Sequence, residues 1–447
     1  MNARPRNQVE NSEATNGPAV GSVGQAFATH DNANVPYEWS PIKVGQVCQI
    51  EGGCPFESQF FSEKDGIPLI RIRDVHSGQT ETKYSGAYDE KYLVRNGDLL
   101  IGMDGEFRVR KWRGGLGLLN QRVCRLVPDE EKIDKEFLRF AISTPLKRIE
   151  DFTSYTTVKH ISANQIRSIE LPYPPLSGQQ KIAFVLGLVQ RAIEQQERLI
   201  AVTDELTKAL MHHLFTRGLR AEPQKETEIG LIPQSWDVRS IEELQLDIGD
   251  GNYSTKYPRQ EEFRPSGVPF LRANNIVKGR LIWSDMRYIS PDLHEELKKG
   301  HTKKGDVCLV TRGNIGEVAF VTDEFVDANM NAQLVRLNGE GRVDGKFLYF
   351  AFQYPNTQAQ IKSLKTGTAL QQLPIGKLKF VKIPIPSLQV QQEIGGMLWV
   401  VNEKRGLAER RRRALDNLFR TLLYQLMTAK IRVDDLDLSE LESSMAA

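Results

Sequence analysis

Cysteine is scarce: Cys48, Cys54, Cys124 and Cys308 are the only ones in 447 residues. They form no C-x-x-C pair and have no histidine at ligand spacing. Reduced thiols are therefore expected, and neither a disulfide scaffold nor a structural zinc site. No apolar run approaches the roughly 20 residues that span a bilayer. The opening MNARPRNQVENSEATNG carries no apolar stretch of the kind that directs secretion, so a cytoplasmic location is expected. An excess of one charge is missing too. Lys and Arg number 59 against 57 Asp and Glu, a net +2, so any surface for a polyanion has to be built locally.

Motifs for bond chemistry are also lacking. There is no GxxxxGK[ST] loop for nucleotide phosphates, no HExxH, no GxSxG and no GxGxxG between a strand and a helix. A base methyltransferase would need an Asn/Asp-Pro-Pro-aromatic or Pro-Cys loop, and neither occurs. Pro174-Pro175 reads as a strand-to-helix joint, and Gly114–Gly117 as a turn leading into a strand. His212 and His213 are adjacent on a helix, about 100° apart, and cannot easily share a metal. Asp65 with Asp74, and Asp104 with Glu106, read as ordinary surface carboxylates rather than catalytic acid pairs. The chain is expected to be non-catalytic, with no cofactor or metal of its own.

What is present is a repeat. GIPLIRI from Gly66 returns as GVPFLRA from Gly267, and NGDLLIG around Gly97 as KGDVCLV around Gly305. DKEFLRFA from Asp134 returns as DGKFLYFA from Asp344, and LPYPPLSGQQKI from Leu171 as IPIPSLQVQQEI from Ile383. LTKALMHHLFTRGLR from Leu206 returns as LFRTLLYQLMTAKIR from Leu418. The offset grows from 197 at Pro36/Pro233 to 212 and then stays fixed, as insertions early in the second copy would produce.

Each copy has a globular part and a helical part. Short β-like runs broken by Gly and Pro mark mixed α+β domains over 37–175 and 234–387. Alternation in LIRIRDV and LRANNI reads as half-buried strands, with Arg71, Arg73, Arg272 and Asn274 outward. FLRFAIS and FLYFAFQ read as short helices. Long helices follow over 176–217 and 388–428. In the first, Ile182, Leu186, Val189, Ile193, Gln196, Leu199, Thr203, Leu206 and Leu210 step by three and four. That stripe, too narrow for a core helix, predicts an antiparallel coiled coil between the copies; two ordinary core helices are the alternative. Residues 1–36 are expected to be a disordered extension, 218–233 a linker and 429–447 a loose acidic tail.

The charge that could read nucleic acid is clustered. GEFRVRKWRGG carries Arg108, Arg110, Lys111 and Arg113, with Phe107 and Trp112 interleaved. The aligned TRGNIGEVAFVT keeps only Arg312 and Asn314. Lys159 and His160, and in the second copy Lys365, Gln371 and Gln372, lie in Thr-rich loops. Together with Arg71/Arg73 and Arg272/Asn274/Asn275 these are the candidate DNA-binding residues, since Arg and Lys suit guanine and phosphate, and Asn and Gln suit adenine. Framework residues agree between copies while candidate loops differ, so two heads should read two different half-sites. Arg410, Arg411, Arg412 and Arg413 go most of the way round one helix, and are candidates for partner contact or phosphate steering.

In this order, twice over, the tryptophan openings at Trp39 and Trp236, the G-(I/V)-P and GD motifs, the P-L-x2-Q-Q and S-L-x2-Q-Q joints and the closing LFTRGLR and LMTAKIR resemble the specificity subunit of type I restriction-modification enzymes. The resemblance covers about 36–433. It implies two target recognition domains held apart by an antiparallel helix pair, each reading half of a bipartite double-stranded DNA target. It further implies two methyltransferase subunits as partners, with motor-nuclease subunits joining in some systems. S-adenosylmethionine, ATP and Mg would be bound by those partners. A methylation-only system and a non-DNA coiled-coil scaffold remain as alternatives, and an enzyme with divergent motifs as a further one.

Overall fold

The computed structural model describes residues 39–153, 159–252, 257–368 and 371–433. The extension over 1–36 and the acidic tail from 434 lie outside the described residues. The chain forms two compact units, one running to Ile193 and resuming at Ala414, the other spanning Glu194–Arg413.

In the first unit an antiparallel sheet takes the order Cys48–Gly52, Val123–Pro128, Leu99–Gly102, Val109–Lys111. Beside it lie five short strands, with Ile67–Ile70 and Gly117–Leu119 parallel at their centre. The second unit repeats the plan. Its sheet runs Asp247–Asp250, Leu334–Asn338, Val307–Val310, Val318–Phe320, and Val268–Leu271 again pairs in parallel, with Asn329–Met330. Leu99, Ile101, Val307 and Leu309 have no exposed surface, because helices Lys135–Ala141 and Gly345–Gln353 close over these strands with Phe137 and Phe347.

The duplicated GD motif has a mechanical reason. Gly97 (φ 97°) and Gly305 (φ 81°) turn the chain through a left-handed conformation that a side chain would strain. The following aspartate then caps the turn: Asp98 accepts from the Arg95 N–H at 2.9 Å, Asp306 from the Lys303 N–H at 2.6 Å. Each also faces an arginine on the neighbouring strand of the sheet, Arg125 at 3.3 Å and Arg336 at 3.6 Å.

The QQ motif is a joint. Gln179 is wholly buried at the start of helix Leu176–Arg217; its Oε1 accepts from the Asp134 N–H (2.8 Å) and its Nε2 donates to Pro174 O (2.9 Å). Gln391, on helix Leu388–Met427, does the same with the Asp344 N–H (3.0 Å) and Pro386 O (2.9 Å).

The helices also depart from expectation. Ile182, Leu186, Ile193 and Thr203 are buried, but Leu199 and Leu206 are 41% and 48% exposed. Beyond Gln196 the inward-facing positions are Ile200, Thr203 and Thr207, because 3.6 residues per turn drifts away from a fixed heptad. Within the second unit the two helices run antiparallel, Asp204 pairing with Arg405 at 2.6 Å and Glu197 with Arg412 at 3.6 Å. Residues 218–233 form more than a linker: Gln224–Thr227 and Gly230–Pro233 make an antiparallel hairpin.

The two alternating strands end early. The first stops at Ile70, and Ile72–Ser77 is helical, the N–H of its cap residue Arg71 donating to the Asp74 carboxylate. The second stops at Leu271 and turns at Ala273–Asn275, with Asn275 accepting from Arg272 N. Period-2 alternation over three residues could not distinguish a strand end from a side-chain-capped turn.

Candidate nucleic-acid interface

Two loops meet at the same place in both units. In the first, the turn after Leu99–Gly102 receives the segment carrying Lys159 and His160. Asp104 and His160 form a β-bridge, the Ile161 N–H donates to Met103 O at 2.9 Å, and the Gly105 N–H to Lys159 O at 2.9 Å. In the second, Arg312 bridges Gln372, and the Leu373 N–H donates to Thr311 O at 2.9 Å. Gln372 is also bridged to Thr366, next to the half-buried Lys365. The scaffold is common to both units and the side chains differ.

On the first unit's loop pair the exposed groups are Arg108, His160 and Arg122. Asp104 gathers them, 2.6 Å from His160 Nδ1 and 3.2 Å from Arg122, while Arg108 leans on Glu106 at 3.1 Å. Lys159 is anchored, its Nζ donating to Glu150 O at 2.7 Å at the end of a helix. Burial pushes the Glu150 carboxyl up, but the Lys147 ammonium, the Phe107 N–H and the charge of Lys159 outweigh it and hold the group below its ordinary range. The second unit shows Arg312, Asn314, Gln371 and Gln372, all exposed.

Arg122 escaped the sequence reading, because it lies in a tight turn apart from the basic run over 108–113. Only strand pairing carries it to His160.

Several candidates sit elsewhere. GEFRVRKWRGG is spread along the edge strand Val109–Lys111 and both its ends. Lys111 turns to Glu136 at 2.6 Å; Arg110 and Arg113 are exposed, Arg113 beyond the strand's far end from Arg108. Phe107 and Trp112, read as aromatics for sugars or bases, are 1% and 2% exposed, and the Trp112 indole N–H donates to Gly115 O. They are core, since a side chain with that little surface reaches no ligand. Arg71 and Arg73 are exposed on the short helix, Arg73 reaching Thr82 Oγ1 at 3.2 Å. Asn275 is a correction: it is 0% exposed and its amide is spent on Arg272 N and Ser284 O. Arg272 and Asn274 both grip Asp285, at 2.9 and 2.8 Å, and of the two only Asn274 is well exposed.

The four arginines of the second helix divide. Arg412 faces Glu197, and Arg410, Arg411 and Arg413 are exposed. Arg410 and Arg413 border a groove of about 820 Å³ within the second unit, opposite Arg280 and Trp283.

A duplicated α+β fold whose paired loops present guanidinium, imidazole and amide groups on a chain of near-zero net charge is the build of a DNA-recognition protein. Its sequence matches the type I restriction modification DNA specificity domain over residues 36–203 and 233–415. The chain belongs to that family and recognises DNA targets as a type I specificity subunit. It is 29% identical to the EcoBI specificity subunit of Escherichia coli, over 83% of this chain and 80% of that one. The MjaVIII specificity subunit of Methanocaldococcus jannaschii is 23% identical, over 92% and 97%. The crystal structure of the type I system S subunit from M. genitalium shares the fold, with a TM-score of 0.62, 18% identity and coverage of 89% of this chain and 97% of that one. Specificity subunits of type I systems are in general non-catalytic. No described helix is long and apolar enough to cross a membrane.

Proposed function

We propose that each unit reads one half of an asymmetric bipartite DNA target, and that the long helices set the gap and dock methyltransferase subunits. The observation that carries this is the loop pair: one backbone arrangement in both units, with Asp104, His160 and Arg122 on one and Arg312, Asn314 and Gln372 on the other. Arg reads guanine edges and amides read adenine, while Lys and Arg also neutralise phosphates and fix register. Different side chains on one frame therefore select different bases.

Exposed Leu199, Val202 and Leu206 on the first helix, with Leu407 on the second, form apolar surface that an isolated spacer has no use for. They are the docking surface in this reading. S-adenosylmethionine, ATP and Mg belong to the partners, and a motor-nuclease subunit joins where the system restricts DNA.

The test is co-expression with a methyltransferase subunit, followed by mapping of adenine methylation across host DNA. One motif with two dissimilar halves and a fixed gap supports the reading. Methylation of a continuous motif, or none from a stable complex, refutes it and favours a scaffold.

A further inference from the structure

The second unit brings together two histidines and an aspartate that the DNA-recognition reading leaves without a role. His294 comes from helix Pro291–Glu296, His301 from the bridge to Asn329, and Asp327 from the turn before Asn329–Met330. The ligand atoms of all three lie within 4.8 Å of one another. His294 Nε2 is 3.3 Å and His301 Nδ1 3.5 Å from the same oxygen, Oδ1 of Asp327. A tetrahedral metal with bonds of about 2.0–2.1 Å places neighbouring ligand atoms about 3.3 Å apart. The two edges to Asp327 already have about that length.

Hydrogen bonding prepares it further. His301 Nε2 stands 2.5 Å from Leu297 O, a carbonyl that can only accept, so the ring proton is on Nε2. With Nε2 turned to that carbonyl, Nδ1 faces the carboxylate oxygen at 3.5 Å, the nitrogen a metal would take. This is also how metal-binding histidines are oriented elsewhere, by a backbone carbonyl on the far nitrogen.

Asp327 adopts φ 62°, a left-handed conformation uncommon outside glycine. Thr302 holds it there: the Asp327 N–H donates to Thr302 O (2.8 Å) and the Thr302 N–H to Ala328 O (2.9 Å). The strain aims a carboxylate at the two imidazoles, which stack with centroids 4.1 Å apart. One opposing feature exists. Asn329 Nδ2 lies 3.4 Å from His294 Nδ1, and metal at Nε2 would move the His294 proton toward it. That long contact would be given up.

We infer that His294, His301 and Asp327 form a binding site for one borderline divalent cation such as Zn²⁺, with a fourth position left to solvent. Imidazole and carboxylate donors suit Zn²⁺, Co²⁺ and Ni²⁺ over Mg²⁺ or Ca²⁺. The site clips the 291–296 helix to the 323–327 turn, and it does not depend on how the loops read DNA. Sequence spacing hid it, because Asp327 lies 26 residues beyond His301.

The experiment is titration of the metal-free full chain with Zn²⁺ by calorimetry and with Co²⁺ by visible absorption, alongside His301→Gln, Asp327→Asn and His212→Ala/His213→Ala. Circular dichroism confirms folding; Asp327→Asn is the safer variant, since that side chain is 73% exposed and asparagine tolerates the same backbone. The expected result is one ion per chain, a raised Tm, and at least tenfold weaker binding in His301→Gln and Asp327→Asn, with the His212/His213 variant unchanged. No saturable binding, or binding that only the His212/His213 variant loses, overturns the inference.

Discussion

Gln179 Oε1 accepts the backbone N–H of Asp134 at 2.8 Å, across 45 residues of sequence, and the same bond joins Gln391 to Asp344. It fastens each long helix to the N-terminus of the short helix in its own recognition fold. Gln179→Ala leaves a buried N–H and a buried carbonyl without partners, at a cost of about 1–3 kcal/mol each. Gln179→Glu keeps the acceptor, loses the donor and buries a charge, so it is no rescue. Urea unfolding of both variants, and of Gln391→Ala, measures this; a loss below about 0.5 kcal/mol in all three would refute the joint.

Half-site readout is separable. Arg312→Ala should weaken binding and relax preference in one half of the target only, by about 1–3 kcal/mol if the guanidinium meets a base edge. Arg122→Ala with His160→Ala should act on the other half. Competition with oligonucleotides altered in one half at a time checks both. A uniform loss across sequences, with the salt slope reduced by about one, would reassign Arg312 to phosphate.

The helix pair of the second unit is registered by charge. Arg405 is 13% exposed at its side chain and meets Asp204 at 2.6 Å and Glu409 at 3.2 Å. Asp204 is 41% exposed, so solvent screens the pair, and a double-mutant cycle with Asp204→Ala and Arg405→Ala should return a coupling of about 1 kcal/mol. Zero coupling would leave the seam to packing alone.

Docking on the helices predicts a loss of assembly that outruns any loss of stability. Leu199→Ser with Val202→Ser and Leu206→Ser removes apolar groups already about half exposed, so Tm should fall far less than assembly does. Co-purification of the methyltransferase subunit should fall at least tenfold. Intact co-purification would move the docking surface elsewhere.

Acid should loosen the first unit through Glu150. Its folded pKa lies below the ordinary 4.5, so the unfolded chain binds the proton more readily. The stabilisation is complete above that ordinary value and is lost as pH falls through the lowered one. Glu150→Gln should therefore lower Tm near neutrality and narrow the gap to wild type at acid pH. An unchanged difference at both pH values would contradict the assignment.

The duplication, the α+β character and the long helices were legible because insertion-tolerant loops left the framework words intact. The Thr-rich loops were matched with one another between copies, and their contact with the strand turns is a product of folding. What failed were claims that rested on three or four residues. Asn275 looked like the outward neighbour of Asn274 and is buried by its own turn. Trp112 looked like part of a basic surface, yet it follows the edge strand and turns into the core, its indole N–H on Gly115 O. Arg122 and the His294–Asp327 pairing were invisible because they are tertiary.

The hydrogen bonds of Gln179 and Gln391 run to main-chain atoms of the fold they hold: an N–H at a helix cap and a carbonyl in the preceding proline segment, with Lys132 O as a further acceptor for Gln179. Such a grip does not sense which side chains the recognition loops carry. A gene segment encoding a fold with that cap and that proline turn, and a core that packs on Ile182 and Leu186 or on Ile394 and Leu398, could be recombined between these points and keep the joint. New target preferences can thus arise by exchange of whole heads on unchanged helices.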